Sequence, residues 1–185
     1  KHNHIYFTLS NGFTLIYNDV RRFGFFKLYN HKKLNNIQYI KKLGLEPLNK
    51  RFNLMYFRQF IKKRKKNIKS LLMDQTFISG LGNIYVNEAL FMSKIKPLRS
   101  CNNLNDTEII LLIRSIKKIL QLSILKGGSS IRDFKNTLGK SGNFQQFFYV
   151  YGKVNKTCSR ISCTGLIKKI FISNRSSFYC KNCQV

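Results

Sequence analysis

Acidic side chains are scarce. Asp19, Glu46, Asp74, Glu88, Asp106, Glu108 and Asp133 stand against 34 Lys and Arg in 185 residues, a formal charge of +27. A compact fold with that excess repels itself unless a polyanion is its partner. Apolar runs long enough to span a bilayer and free of charge are missing, and the first residues show no signal-peptide pattern. Neither a membrane span nor secretion is therefore expected. No basic helix has a clean apolar face, which places an anionic membrane surface well behind nucleic acid as the partner. An initiator Met is also lacking: the chain opens on Lys1-His2-Asn3-His4, at the brink of a strand, and reads as a fragment. What is present is a 43% hydrophobic content, enough for a core and too much for a disordered basic tail. A·T-rich codon usage would enrich the same Lys, Asn, Ile and Phe, so the charge is less diagnostic than its size. A carboxylate retained in so basic a chain is expected to have a specific task, capping being the usual one.

Two strand-like runs, 5–9 and 13–17, flank Asn11-Gly12 and predict a hairpin. His2 and His4 alternate with strand periodicity and are expected on one face, where phosphate or water suits them better than a metal. Asp19-Val20-Arg21-Arg22-Phe23-Gly24 follows. Its guanidinium and ring either enter a nucleic-acid stack or form an ordinary strand end. Residues 25–29 predict another short strand, and 43–48 a domain junction. From Asn53 the period becomes helical, with Leu54, Phe57 and Ile61 on one face and a basic cluster at 62–66 extended by Lys69. Residues 68–74 predict a short helix. Gly80-Leu81-Gly82-Asn83 precedes a helix over 84–93, with Asn83 placed as cap or phosphate donor. Asn105, Glu108 and the pair Leu104 and Ile109 predict a capping box and staple. They open a helix with apolar positions 109, 112, 113, 116, 119, 120 and 124, ended by Gly127. A long Gly- and Ser-bearing loop reaches residue 146.

The tail carries four cysteines in two close pairs, Cys158 with Cys163 and Cys180 with Cys183, flanking two strand-like runs. Four thiolates in this arrangement suit one tetrahedral, structural zinc ion. Two disulfides or four unrelated thiols are the alternatives, and the absence of any secretory signature favours zinc. Arg175 is expected at the ribbon tip, pointing away from the metal. Cys101 reads as a buried free thiol.

In chain order, Lys-His-Asn-His at 1–4, Asp-Val-Arg-Arg-Phe-Gly at 19–24, Leu-Gly-Leu-Glu-Pro-Leu at 43–48 and Ile-Lys-Ser-Leu-Leu-Met-Asp-Gln at 68–75 form one set of motifs. It continues with Gly80 to Phe91, Gly-Gly-Ser-Ser at 127–130, Val-Tyr-Gly-Lys at 150–153 and Asn-Arg-Ser-Ser-Phe-Tyr-Cys at 174–180. This ordered set resembles bacterial formamidopyrimidine-DNA glycosylase. The resemblance implies an α+β chain of three parts. Residues 1–48 would be the C-terminal part of an N-terminal β-sandwich. A helix–two-turns–helix DNA-binding domain would span 49–147, with a lesion loop at 127–146, and a zinc-finger β-ribbon 148–185.

The implied activity is base-excision repair: flipping out and excising oxidised purines (8-oxoguanine, formamidopyrimidines), with associated AP lyase cleavage. The expected partner is damaged double-stranded DNA, met by a monomer in the bacterial cytosol. The resemblance assigns DNA contacts to His2, Arg21, Phe23, Arg64, Lys69, Asn83, Tyr151 and Arg175. Arg21 and Phe23 would fill the void left by the flipped base. Arg175 would also assist strand cleavage, and Cys158, Cys163, Cys180 and Cys183 would hold zinc. The family's N-terminal proline nucleophile, its adjacent glutamate and a later lysine have no counterpart here, so these residues are expected to bind DNA and not to excise. A partial sequence and a non-catalytic remnant both fit that gap. The first cysteine pair has four intervening residues where two are common, and Asn143 stands where an aromatic is frequent. An endonuclease VIII-like enzyme and an RNA-binding zinc ribbon are the remaining alternatives.

Overall fold

The computed structural model describes every residue except 63, 131–138 and 140, and omits the side chains of 33 and 35. The core of the predicted lesion loop, 131–138, therefore lies outside the described residues. The chain divides into two compact units, Lys1–Lys41 and Lys42–Val185. The fold class is α+β.

In the first unit β1 (Asn3–Thr8) and β2 (Thr14–Asn18) form an antiparallel hairpin around Asn11-Gly12, as the turn signal predicts. His2 and His4 do not share a strand face. His2 has a positive φ of 71° before β1 begins, and the ladder slips between Asn3 and Ile5. The predicted strand at 25–29 is not formed: a strand needs a ladder partner, and this sheet has only two strands. A 3-10 turn at His31–Asn36 and the short α1 (Gln38–Lys41) close the unit. No described residue in it is buried.

The second unit contains the core. Its helices are α2 (Leu54–Ile61), α3 (Ile68–Leu72), α4 (Asn83–Met92) and α5 (Asp106–Leu125). Short of acids, the chain starts three of them with asparagine. Asn53, Asn67 and Asn105 accept from the amides of Tyr56, Ser70 and Glu108 at 2.8–3.0 Å. At α5 the Glu108 carboxylate returns the bond to Asn105, completing the predicted capping box. Gly127, at φ +72°, ends that helix in a Schellman arrangement: its amide bonds Ile124 and that of Gly128 bonds Ser123. Ile124, predicted to face the core, is exposed instead, because the buried stripe of the last turn falls on Ser123, whose hydroxyl bonds Tyr85 of α4.

Phe52, Phe57, Phe77, Leu71, Leu90, Ile109, Leu112 and Ile116 pack together between these helices. Tyr56 stacks on Phe77 and donates its hydroxyl to the Phe77 carbonyl at 2.6 Å. The two turns between α3 and α4 are held by side chains. Asp74 accepts from Thr76, and Gln75 accepts from the Gly80 amide at 2.8 Å. Arg99 pairs with Glu108, tying the 93–105 connection to α5. No helix among the described residues is long and apolar enough to cross a membrane.

Candidate nucleic-acid interface and metal centre

Strand β3 (Ile167–Ile172) pairs antiparallel with β4 (Arg175–Cys180). The turn is Ser173-Asn174, both at positive φ (48° and 58°), which is the backbone of a two-residue hairpin matched to strand twist. Arg175 is thus the first residue of β4 opposite Ile172, and not a tip residue as the sequence suggested. It is exposed.

The ribbon is laid along α4 by polar residues that face inward. Asn87 accepts from the Phe178 amide at 2.7 Å, and Glu88 accepts from the amides of Tyr149, Val150 and Tyr151 at 2.6–3.1 Å. Both are fully buried. Burial pushes the Glu88 carboxyl up, and the three amides pull it partly back. Arg160, from between the first two cysteines, donates to the carbonyls of Phe91 and Met92 and stacks on the Phe91 ring. It thereby caps the C-terminal end of α4, where cations suit the dipole. Gln184 bridges the Cys180 amide and the Ile95 carbonyl.

At the other end of α4, two predicted contact residues converge on one carbonyl, next to a third, Arg175. Lys69 donates its ammonium to the Ser176 carbonyl at 2.8 Å and the Ser177 hydroxyl at 2.6 Å, and Asn83 donates its carboxamide to the same Ser176 carbonyl at 3.1 Å. Asn83 is therefore not a cap. Gly82 holds the cap position without a side-chain bond, and the Asn83 side chain is spent on β4. Lys69 is only 1% exposed; burial, then the neighbouring Arg175 charge, brings its ammonium down to about 8. Lys65, Lys66, Ser70, Ser173 and Arg175 line the adjoining cleft of ≈590 Å³. Arg64 is exposed and stacks on Phe60 at 4.1 Å, and the half-buried Tyr151 ring packs on Phe178.

The four cysteine sulfurs lie within 4.8 Å of one another, with Cys158 to Cys183 at 3.8 Å and Cys163 to Cys180 at 3.7 Å. A disulfide needs about 2.05 Å. Tetrahedral ligands at about 2.3 Å from a metal stand roughly 3.8 Å apart, so the donors fit a metal ion. Their acidity agrees. Against burial, the Cys183 and Asn182 amides bring Cys180 down to about 7; burial and its sulfur neighbours push Cys183 up to about 12. The crowding that resists a second thiolate is what a dication offsets.

In the first unit, one carboxylate shapes the Arg21–Phe23 loop. Asp19 accepts from the amides of Gly24, Arg21 and Arg22 and from the Tyr17 hydroxyl, all at 2.8–3.0 Å. The Gly24 amide first, then Tyr17, bring its carboxyl down to about 2. A Cβ at Gly24 would stand 1.7 Å from the Tyr17 hydroxyl, so a larger residue there would push that hydroxyl off Asp19. Phe23 is 78% exposed, with the Arg21 guanidinium 5.1 Å from its ring centre. His4 bonds the Asp19 carbonyl and His2 accepts the Asp19 amide through its carbonyl. Sequence reading assigned no contact to Asn87, Arg160, Gln75 or Gln184, and singled out Glu88 only as one of the scarce acids expected to have a task.

A four-helix core with two side-chain-held turns between α3 and α4, and a four-cysteine ribbon docked on α4, defines the helix–two-turns–helix class with a metal-ribbon appendage. Residues 43–135 match the family model of the formamidopyrimidine-DNA glycosylase H2TH domain, and the chain belongs to the formamidopyrimidine-DNA glycosylase family. It is 48% identical over 169 residues to the formamidopyrimidine-DNA glycosylase of Streptococcus agalactiae serotype III, covering 91% of this chain and 61% of that protein. It is 42% identical over 184 residues to that of Roseobacter denitrificans, covering all of this chain and 65% of the relative. Among solved structures, the Lactococcus lactis Fpg in complex with DNA containing an abasic site superposes with a TM-score of 0.89 at 41% identity. The match covers 100% of this chain and 66% of that one. A MutM complex with DNA containing carbocyclic 8-oxo-G gives 0.88 at 42% identity. The chain thus spans less than two thirds of the length of these relatives.

Proposed function

We propose that this chain is the DNA-gripping portion of a base-excision glycosylase acting on oxidised purines, 8-oxoguanine and formamidopyrimidines, with associated AP lyase cleavage. The observation that carries it is the convergence of Lys69, Asn83 and Arg175 about the Ser176 peptide, in a fold whose similar solved structures hold damaged DNA. Asn83 and Lys69 are largely spent on β4, which makes them placers of the ribbon as well as phosphate neighbours. Arg175 is the free guanidinium there, suited to bidentate phosphate contact. Arg64 adds charge along the strand, His2 adds a polar contact, and Tyr151 supports the ribbon beside it. Arg21 and Phe23 fill the gap left by an extruded base, in a loop that Asp19 pre-forms.

The metal is one structural zinc held by Cys158, Cys163, Cys180 and Cys183, and supplies folding energy to the ribbon. Residues 1–48 are read as the C-terminal part of an N-terminal β-sandwich, 49–147 as the DNA-binding helical domain and 148–185 as the ribbon. Such a protein works as a monomer in the bacterial cytosol. The amine nucleophile of this family has no counterpart among these residues, so the chain by itself binds without excising. The test is competition for the zinc-loaded chain between a duplex with a tetrahydrofuran abasic-site analogue, an undamaged duplex and structured RNA. The abasic duplex should win, losing about 10³ in affinity between 50 and 200 mM salt if about six phosphates are contacted. Preference for RNA would overturn the reading.

A further inference from the structure

Just after α2, Arg64, Lys65 and Lys66 form an exposed basic stretch whose backbone is held from one side. The Cys101 thiol donates to the Arg64 carbonyl at 3.2 Å, the Ser100 hydroxyl to that of Lys65 at 3.3 Å and the Cys101 amide to that of Lys66 at 2.9 Å. Three successive carbonyls are thus taken up, and the three cationic side chains stand in solvent. Lys66 is paired with Asp74, and with Lys65 it lines the cleft that Arg175 also borders. Arg64 meets a ring in place of a carboxylate. Its guanidinium lies over Phe60, 4.1 Å from the ring centre.

That ring is anchored. Phe60 is half-buried and packs on the aromatic core, 4.7 Å from the Phe77 ring centre and 6.1 Å from that of Tyr56. It therefore joins a surface cation to the rigid interior of the helical unit. A guanidinium over a ring is held by cation–π attraction, while the N–H donors in its own plane stay free for a phosphate. A carboxylate in that place would neutralise the charge and occupy those donors; a ring does neither.

We propose that Phe60 is a positioning residue for Arg64, setting its guanidinium in advance for a DNA phosphate. This rests on the DNA-gripping reading above, which gives Arg64 a place on the strand and no reason for its orientation. Freezing a long side chain weakens binding, and one already held against a ring has less freedom to lose.

The experiment titrates the zinc-loaded chain and its variants with the tetrahydrofuran duplex, following anisotropy from 50 to 200 mM salt. Phe60→Leu should lose about threefold in affinity at every salt, the size expected of freezing one rotamer-rich side chain. Its slope of log affinity on log salt should be unchanged, because the charge is kept. Arg64→Ala should flatten that slope by about 0.9. In the Arg64→Ala background, Phe60→Leu should cost nothing further, whereas a role confined to the core would cost the same in both backgrounds. Independently of any variant, NMR of the unsubstituted free chain should show the Arg64 side-chain protons shifted upfield by the ring. Arg64 protons at ordinary positions, equal costs of Phe60→Leu in the two backgrounds, or no cost in either would overturn the inference. So would parental affinity and slope for Arg64→Ala beside weakened Arg175→Ala and Asn83→Ala, which would leave the gripping reading intact. If Arg64, Arg175 and Asn83 are all without effect, the gripping reading itself fails.

Discussion

Five of the seven carboxylates have identifiable tasks; Glu46 is exposed and Asp133 lies outside the described residues. Asp19 shapes the Arg21–Phe23 loop, Asp74 a turn and Glu88 the ribbon approach, while Glu108 caps α5 and pairs Arg99, and Asp106 pairs Arg58. That such acids have tasks was legible from their scarcity. Which amides they would meet was not, since Glu88 reaches 61 to 63 residues along the chain. Asp19 was open to local reading, because its partners lie within five residues. Its carboxyl, at about 2 in the fold against an ordinary 3.8, contributes order to the loop that is fully present above pH 3.8. The contribution is lost as pH falls through about 2. A titration of the Asp19 side-chain carbon by NMR should give that low midpoint, and Asp19→Asn should release the Arg21 and Arg22 amides to fast exchange at neutral pH. A midpoint near 4 would remove Asp19 from this role.

The ribbon and α4 depend on one another. β3 and β4 have almost no core beyond Phe178, Ile167 and the cysteines, so their order comes from the metal ligands at one end and the α4 side chains along the other. A structural zinc in such an element contributes on the order of 10 kcal/mol to its folding. Stripping the metal with a chelator at pH 7 should therefore broaden the amide signals of 157–183 while α2, α3 and α5 keep theirs. Cys180→Ser should do the same without chelator. A ribbon unmoved by both would remove the metal from its structure. The strands, their turn and the cysteine pairs were all legible, because alternation, positive-φ residues and ligand spacing are local signals. The docking was not: Asn87, Arg160 and Gln184 are polar residues whose partners come from distant segments, and Asn83, a cap by local rules, is claimed by β4 instead.

The two units differ in kind. The helical unit has a dry aromatic and aliphatic core, whereas the hairpin unit has no buried residue among those described and exposes Phe13, Leu15, Phe25 and Leu28. A two-stranded hairpin is marginal in water without a further layer. Hydrogen exchange should accordingly separate them, with β1 and β2 amides exchanging orders of magnitude faster than those of α4 and α5. Equal protection in both would show that the hairpin is supported in a way this fold does not contain. Helix and strand period, capping residues and cysteine spacing were enough to give the helices, both hairpins and the metal donors, because each depends on neighbours a few residues away; the α+β class came from the resemblance carried by the ordered motifs. Only the tertiary structure could place Lys69 and Asn83 on one carbonyl beside Arg175 and bury Glu88 under three amides. Those outcomes depend on which distant segment arrives to satisfy or bury a group, and no local pattern encodes that arrival.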